Sequence, residues 1–499
     1  MKKKLLILLS CILCCILVIT GCGKAPLVGG PSADSVVYGN GGMAVVKGNY
    51  LYFSNAYKPL SEVKVNENKF GQETLSAIYR VKIEENGLIA LDEKGFITGA
   101  EIVAEQISGY EYSGLYIFGD YIYYTTPYTS KDGDGNDITG LVKFCRVKLD
   151  GTNYKEIYTT KAYTAETSKY AMTEVDGNVY INVYDGTDLI SVEVKGSRVN
   201  VRTLVEGVTS ADFVDQTTVN GVALCEFERY AYYTRAVDSK KDGLSTGIVV
   251  GRIKYATDKP AEETLYKGQK AYTIDKVANN RLFVKLSGYI YSTADFSFDE
   301  NKMTKYTYQA DASNSGLLGD YIVVEDNNQA QTTDANGFII ENKQDLGFVA
   351  VFDTNKIVYF KGLNNSVTIF DGDEESVEGV TLLYVTENND VYYMVKGKET
   401  VYRKNLLTDT KNTPATEVVS NVPVDTSSSD AKKYFDFDNN YFFYYDTVAD
   451  TNEVNHYLHI VKVDNGYKND ENENIAKYLG VLDLEDTEEK TEEDEEVTA

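Results

Sequence analysis

The stretch FGDYIYYTT (118–126) contains the pattern that decides the fold, a Gly-Asp turn followed by alternating aromatic and β-branched residues. Gly and Asp favour a sharp turn, and Tyr, Ile and Thr favour the extended strand that follows it. Variants of this turn–strand pattern occur nine times, at 47–55, 118–126, 175–183, 227–235, 278–286, 318–326, 353–361, 387–395 and 438–446. The sequence therefore predicts an all-β protein built from a repeated unit.

Each repeat also contains other strand-like segments. YSGLYIFG (112–119) precedes the 118–126 pattern, and LVKFCRVKLDG (141–151) and YKEIYTT (154–160) follow it. This gives four antiparallel strands per repeat, and the repeats recur about every 49 residues, which suits the blade of a β-propeller. We therefore predict a single β-propeller over residues 43–482.

The number of blades depends on how the patterns are grouped. Nine patterns exceed the usual four to eight blades. The two intervals between Asp320, Asn355 and Asp390 are 35 residues each, so one pattern between 318 and 361 is interpreted as a second hairpin of the same blade. We predict eight blades, with seven as the alternative and two smaller all-β domains as the fallback. Ring closure is predicted from residues 35–38 or 43–47, which would complete the blade of residues 434–482.

The first 22 residues, MKKKLLILLSCILCCILVITGC, have the layout of an export signal, with three lysines before an apolar stretch. We predict a signal peptide at residues 1–21, cleaved between Gly21 and Cys22. The segment Ile19-Thr20-Gly21-Cys22 resembles the lipobox of bacterial lipoproteins. The resemblance implies that Cys22 carries diacylglycerol and fatty acyl chains such as palmitate. An ordinary signal peptide that is cut elsewhere is the alternative.

Two terminal segments flank the predicted propeller. Residues 22–42 contain six Gly from residue 23 onward and few large apolar residues, so we predict a flexible tether that starts at lipidated Cys22. Residues 483–499 carry ten acids and one Lys, so we predict a disordered acidic tail. Because two or three acyl chains anchor a protein stably, we expect a lipid-anchored protein on the extracytoplasmic face of the bacterial cell membrane.

The charge restricts the partners of this chain. The formal net charge is −27, and loss of the signal peptide with its three lysines makes it −30. A surface this acidic argues against nucleic acid, which binds basic surfaces. It is also repelled by anionic lipid headgroups, so we expect the diacylglycerol on Cys22 to provide the attachment to the membrane.

The repeats resemble the YWTD-type and TolB-like propellers. They are more similar still to the G-[DN]-x-IYY propeller domains, of uncharacterised function, found on Gram-positive surface lipoproteins. The resemblance covers about residues 43–482 and implies the fold. The chain contains no Trp, which is a departure from the YWTD pattern.

The candidate metal site is the loop that carries Asp132, Asp134 and Asn136. Oxygen ligands at every second residue resemble the start of a calcium loop. However, Asp137 stands where such loops need Gly, and Lys143 stands where they need a bidentate Glu. We therefore predict a solvated turn with no metal and no cofactor, and keep calcium at these three residues as the weaker hypothesis.

Histidine and cysteine give little support for a reactive site. His456 and His459 lie three residues apart in a segment that reads as a strand, so they are not expected to chelate one ion. Outside the signal and Cys22, the cysteines are Cys145 and Cys225. A disulfide between them is possible in an exported chain, but we favour two small buried thiols because the residues lie in separate repeats.

No sequence pattern identifies a catalytic residue. The chain has no G-x-S-x-G motif, and most of its 41 tyrosines are interpreted as blade packing rather than as a contact face. The sequence therefore favours a non-catalytic binding or scaffold module at the cell surface, with an unspecified protein or glycan partner. The alternative is a propeller hydrolase or lyase that acts on surface polysaccharide or peptide.

Overall fold

The structure is a computed structural model, and almost all of its regular structure is β-strand. It describes residues 26–31, 37–38, 44–54, 78–85, 89–90, 98–104, 115–161, 169–213, 229–278, 281–294, 298–306, 308–309, 315–316, 318–324, 331–333, 339–341, 347–352, 354–360, 366–386, 389–398, 400–420, 435–438, 441–450, 453–463 and 476–483. Within these residues the helices are two of four residues each, Ser239–Asp242 and Gly372–Glu375.

The first sheet, here called the N-terminal sheet, has five antiparallel strands that lie side by side in chain order. They are β1 (Val37–Tyr38), β2 (Ala44–Lys47), β3 (Tyr50–Ser54), β4 (Ile78–Lys82) and β5 (Glu101–Ala104).

Seven four-stranded antiparallel sheets follow along the chain and are called blades 1 to 7. Blade 1 has β6 (Tyr116–Phe118), β7 (Tyr121–Lys131), β8 (Asp137–Lys148) and β9 (Lys155–Thr159). Blade 2 has β10 (Lys169–Val175), β11 (Asn178–Tyr184), β12 (Leu189–Lys195) and β13 (Arg198–Val205). Blade 3 has β14 (Val208–Phe213), β15 (Tyr230–Ala236), β16 (Ile248–Lys254) and β17 (Glu262–Gly268).

Blade 4 has β18 (Thr273–Ala278), β19 (Arg281–Leu286), β20 (Tyr289–Ala294) and β21 (Thr304–Tyr306). Two short ribbons lie near blade 5 in the chain, β22 (Tyr308–Gln309) with β23 (Ser315–Gly316), and β25 (Gln331–Thr333) with β26 (Ile339–Glu341). Blade 5 has β24 (Leu318–Val324), β27 (Gly347–Phe352), β28 (Lys356–Phe360) and β29 (Ser366–Asp371). Blade 6 has β30 (Val380–Val385), β31 (Asp390–Val395), β32 (Thr400–Asn405) and β33 (Thr416–Ser420). Blade 7 has β34 (Phe435–Asp438), β35 (Tyr441–Asp450), β36 (Glu453–Val463) and β37 (Ala476–Asp483).

These blades form a ring, so the protein is a β-propeller as the repeats predict. Seven four-stranded blades match the alternative count rather than the preferred eight, because the remaining sheet has five strands. The patterns at 318–326 and 353–361 share blade 5, as strands β24 and β28. The interpretation of one of them as a second hairpin of the same blade is therefore confirmed.

The predicted ring closure is wrong. Residues 37–38 and 44–47 pair with each other and with β3, so they belong to the N-terminal sheet. Blade 7 takes all four of its strands from residues 435–483. The physical reason is local pairing: β34 folds directly against β35, and this occupies the edge that an N-terminal strand would need.

From the N-terminal sheet to blade 6, each sheet packs apolar side chains against the next sheet along the chain. In the described residues six apolar clusters have this arrangement, from the contact between the N-terminal sheet and blade 1 to the contact between blades 5 and 6. For example, Phe144 of blade 1 and Ile181 of blade 2 share one buried cluster. Burial from both sides explains why these strands carry apolar residues on both faces.

Polar groups of the first strands also join neighbouring blades. The Ser210 hydroxyl of β14 accepts a hydrogen bond from the Ile274 amide of β18 (2.8 Å), and the Asp212 carboxylate accepts one from the Val277 amide (2.7 Å). Farther along, the Lys276 ammonium donates to the Tyr321 carbonyl of β24 (2.9 Å). Side chains thus satisfy backbone groups that have no partner strand on that side.

The blades have two different ends. The turn end carries the connections from first to second strand and from third to fourth strand; in blade 1 these meet where the Leu149 amide donates to the Asp120 carbonyl (2.9 Å). The hairpin end carries the connections from second to third strand, such as residues 132–136 in blade 1 and 237–247 in blade 3.

Candidate functional sites

A tyrosine–arginine pair recurs on adjacent strands of four sheets, on β3 and β4 of the N-terminal sheet and on the second and third strands of blades 1, 3 and 6. The pairs that face each other across the strands are Tyr52 and Arg80, Tyr123 and Arg146, Tyr232 and Arg252, and Tyr392 and Arg403. In the first three of these pairs the guanidinium also lies over the ring of a second tyrosine. The distance to the ring centre is 5.1 Å from Arg80 to Tyr50, 4.5 Å from Arg146 to Tyr121 and 4.5 Å from Arg252 to Tyr230. This stacking places each guanidinium against the face of a tyrosine ring, which is a favourable cation–π contact.

The pair confirms that these tyrosines are packing residues. Tyr52, Tyr232 and Tyr392 are almost fully buried. Burial raises the pKa of Tyr52 and Tyr232 to about 12, although the adjacent guanidinium acts in the opposite direction. The arginines were missed by sequence reasoning. The signal that identifies three of them is the recurring Arg-x-Lys at the end of the strand that carries the arginine, in IYRVK (78–82), FCRVK (144–148) and VGRIK (250–254).

The arginines have different partners beyond their tyrosines. The Arg146 guanidinium donates to the Gly196 carbonyl of blade 2 (2.6 Å), and that of Arg252 donates to Glu263 of its own blade (2.7 and 2.8 Å). Arg80 is fully buried and donates to the carbonyls of Val28 (3.0 Å) and Gly29 (3.1 Å). Arginines at equivalent positions therefore have different roles: Arg146 joins blade 1 to blade 2, and Arg80 holds an N-terminal segment on the N-terminal sheet.

Blade 1 carries a hairpin that extends beyond its neighbours in the sheet. Strands β7 and β8 pair as far as Lys131 and Asp137, whereas β9 pairs with β8 only up to Lys143. We call residues 127–141 the projecting hairpin. Its base is fixed because Tyr128 and Ile138 pack on the cluster shared with blade 2, and its tip, residues 131–137, is exposed.

Asp132 gives the tip of the projecting hairpin a defined shape. Its carboxylate accepts hydrogen bonds from the amides of Asp134 (2.9 Å) and Asn136 (2.8 Å) and from the Asn136 side chain (3.1 Å). These hydrogen bonds lower the pKa of Asp132, and the bond from the Asn136 side chain has the largest effect. Asp132, Asp134 and Asn136 therefore lie together in an exposed turn, and the Asp132 carboxylate is already hydrogen-bonded within that turn.

Within the described residues no group of three His, Cys, Asp or Glu side chains has the geometry to hold a metal. Calcium at this loop stays the weaker hypothesis.

A buried ionic network supports the connection between β15 and β16 in blade 3. The Arg235 guanidinium donates two hydrogen bonds to Asp242 (2.7 and 3.1 Å) and also contacts Glu262 (3.3 Å). Tyr233 and Lys241 both donate to Glu262. The Arg235 hydrogen bond lowers the Asp242 pKa to about 2. The network fixes a second connection at the hairpin end.

A shallow cleft that is open to solvent separates the outer parts of blades 2 and 3. Tyr180, Glu193 and Asn200 line it from blade 2, and Thr257 and Asp258 line it from blade 3. Arg202 crosses the cleft and donates to the carbonyls of Thr257 (3.4 Å) and Asp258 (3.0 Å). These hydrogen bonds hold the two blades together at this point.

The remaining candidates differ in what the structure describes. Cys145 is a buried free thiol, as favoured by the sequence, and burial raises its pKa to about 12. Cys225 lies outside the described residues, as do Gly21 and Cys22. His456 and His459 lie in β36, the strand predicted for them.

The segments that flank the propeller are described only in part. Of residues 22–42, the structure describes 26–31 and 37–38, and of residues 483–499 only the first. None of the helices in the described ranges has the length and apolar character needed to cross a bilayer. The signal peptide, the lipid anchor, the tether as a whole and the acidic tail stay predictions.

Comparison with known proteins gives distant structural likeness. No family model matches the chain, and no curated protein matches it. Among solved structures, apo AztD from Citrobacter koseri is 10% identical with a TM-score of 0.36, covering 82% of this chain and 92% of AztD. YCF48 bound to D1 peptide is 9% identical with a TM-score of 0.31, covering 60% and 83%. A puromycin-hydrolyzing peptidase from Mycobacterium tuberculosis is 11% identical with a TM-score of 0.31, covering 89% of this chain and 61% of the peptidase.

Proposed function

We propose that this protein is a lipid-anchored, extracytoplasmic β-propeller that acts as a non-catalytic binding or scaffold module. The observation that carries the proposal is the projecting hairpin of blade 1. Its packed base and hydrogen-bonded tip present a preformed, exposed loop, and a preformed loop binds with a smaller loss of conformational entropy than a disordered one. The lipobox-like sequence that ends at Cys22 supports attachment to the membrane.

The hydrogen bonds of the acidic side chains in the described blades support a structural rather than a catalytic role for these side chains. Asp212 accepts from a backbone amide of the next blade, and Asp242 is neutralised by Arg235. Such groups stabilise the ring and its connections because a buried polar group without a partner is costly. The partner of the module is a protein or glycan at the cell surface, bound at the hairpin end.

The anchor is tested by fractionation of cells that express the full chain or the Cys22→Ala variant. We expect the parent protein in the membrane fraction with bound acyl chains, and the variant free of them. A variant that stays in the membrane fraction with unchanged acylation would contradict the assignment of Cys22.

The binding surface is tested with a photo-crosslinking amino acid placed in intact cells at position 134, in the tip, or at position 120, at the turn end of the same blade. We expect one discrete adduct from position 134, and a several-fold weaker adduct when Asp132→Ala removes the turn hydrogen bonds. Adducts of equal yield from both positions would contradict a role for the tip. Turnover of a peptide or polysaccharide by the purified chain would instead favour the hydrolase or lyase.

A further inference from the structure

The segment that follows the proposed lipid site is held on the propeller at one place. Residues 26–31 lie at the junction of the N-terminal sheet and blade 1. The Leu27 amide donates to the Asp150 carbonyl of blade 1 (2.9 Å), and Leu27 packs on the apolar cluster that these two sheets share. This part of the predicted tether is therefore attached to the folded body.

Arg80 is the centre of this attachment. Its guanidinium donates to the carbonyls of Val28, Gly29 and Leu149, and Nε donates to Glu101 (2.8 Å). A fully buried guanidinium needs such partners, and two of them come from the N-terminal segment. We call this set of contacts the Arg80 clamp.

Gly29 is suited to the clamp by its backbone conformation. Its φ of +76° lies in the region that favours glycine, and a Cβ built there would lie 3.2 Å from the Tyr50 hydroxyl. A larger residue at this position would strain the backbone and crowd Tyr50. Substitution of Gly29 therefore weakens the clamp without removing a charge from the core.

The clamp lies at the turn end of the sheets. Arg80 pairs with Tyr52, three residues beyond the turn at Gly48–Asn49, and Asp150 lies two residues after the end of β8, next to Leu149, whose amide donates to the Asp120 carbonyl. Cys22 precedes Leu27 by five residues, which span at most about 18 Å when fully extended. The side chain of Val28 is 89% exposed, the largest exposed fraction among the large apolar residues that the structure describes.

We propose that the Arg80 clamp orients the propeller, so that the turn end faces the lipid bilayer and the hairpin end points away from it. This rests on the proposed lipid anchor at Cys22 and deepens it, because an anchor on a free tether would leave the body without a fixed orientation. Val28 then lies at the bilayer surface, and the projecting hairpin lies on the side open to a partner.

The test uses the natural absence of Trp from the chain. The lipidated full-length protein is placed in vesicles of phosphatidylcholine that contain a dansyl-headgroup phosphatidylethanolamine. Asp120→Trp puts a single donor at the turn end of blade 1, and Asp134→Trp puts one at the tip of the same blade. Strand β7 separates these positions by about 35 Å, and energy transfer falls steeply with distance.

We expect energy transfer from Asp120→Trp to exceed that from Asp134→Trp by about threefold or more, given this separation along the strand. Adding Gly29→Val or Arg80→Met should bring the two values close together. Arg146→Met is the matched control: it removes a buried, tyrosine-stacked arginine at the equivalent position of blade 1, and it should preserve the difference.

The experiment distinguishes failure of the proposed orientation from failure of the proposed lipid anchor. Equal transfer from the two positions in protein that floats with the vesicles would overturn the orientation and leave the anchor intact. Parent protein that does not float with the vesicles would overturn the anchor, and the orientation with it. Loss of folding in Arg80→Met is recognised by circular dichroism, and Gly29→Val then decides the result.

Discussion

At the scale of single residues, the buried tyrosines tie the stability of the protein to pH. Tyr232 is nearly inaccessible to solvent and lies beside Arg252, and burial raises its pKa to about 12, against about 10 in an unfolded chain. The folded state therefore binds the phenolic proton more tightly than the unfolded state. The stability from this group is complete below pH 10 and is lost as the pH rises toward 12.

We therefore expect the free energy of unfolding to decrease steeply between pH 10 and 12. The Tyr232→Phe variant cannot ionise at this position, so its stability should fall less steeply over the same interval. Urea unfolding followed by circular dichroism at several pH values measures both slopes. Identical slopes for the parent and the variant would show that Tyr232 does not contribute.

Two arginines with different surroundings allow a second prediction at this scale. Arg235→Met leaves the buried Asp242 carboxylate without its partner and should lower the free energy of unfolding by about 3 kcal/mol. Arg252→Met breaks an ion pair with Glu263, whose side chain is 45% exposed, and the loss of that pair should cost less than about 1 kcal/mol. The tyrosine packing lost with Arg252 adds to its cost, so a double-mutant cycle with Glu263→Gln isolates the ion pair. Equal coupling energies for the two pairs would contradict this difference in burial.

At the scale of strands and turns, local signals predicted more than long-range ones. The turn–strand pattern, with residues such as Gly119 and Asp120, places the second strands of most sheets correctly because turn preference and alternation are local properties. The partners of Arg80 were not predictable in the same way. Val28 and Gly29 lie about 50 residues before it, and nothing in their own composition identifies an arginine as their neighbour.

The first strands of the blades give a prediction about how sheets are joined. Asp212→Leu removes the acceptor for the Val277 amide and should lower the free energy of unfolding by about 1–3 kcal/mol, since a buried donor is left unsatisfied. Asp212→Asn keeps a carbonyl oxygen that can accept the same bond, so it should restore most of this loss. Thermal unfolding of both variants is the measurement. Equal destabilisation by Leu and Asn would show that the charge, not the hydrogen bond, matters.

At the scale of the whole molecule, the repeats predicted the architecture, with the observed seven blades as the alternative count, but they did not predict how the ring closes. Two patterns 35 residues apart fall in one blade because β24 pairs with β27 across an insertion that carries its own ribbon of β25 and β26. The N-terminal sheet keeps residues 37–38 and 44–47 for itself. The 35-residue spacing indicated the first outcome, whereas the second depends on competition between alternative strand partners, and a single repeat does not contain that information.

The self-contained blades have a consequence for how the chain reaches its native state. Every blade draws its four strands from one contiguous stretch, with blade 7 lying wholly within residues 435–483. Pairing thus joins near neighbours in sequence, and a low sequence separation of contacts favours rapid folding. A newly made chain can complete one sheet after another as it emerges, and its last residues are not required before the earliest strands find their partners.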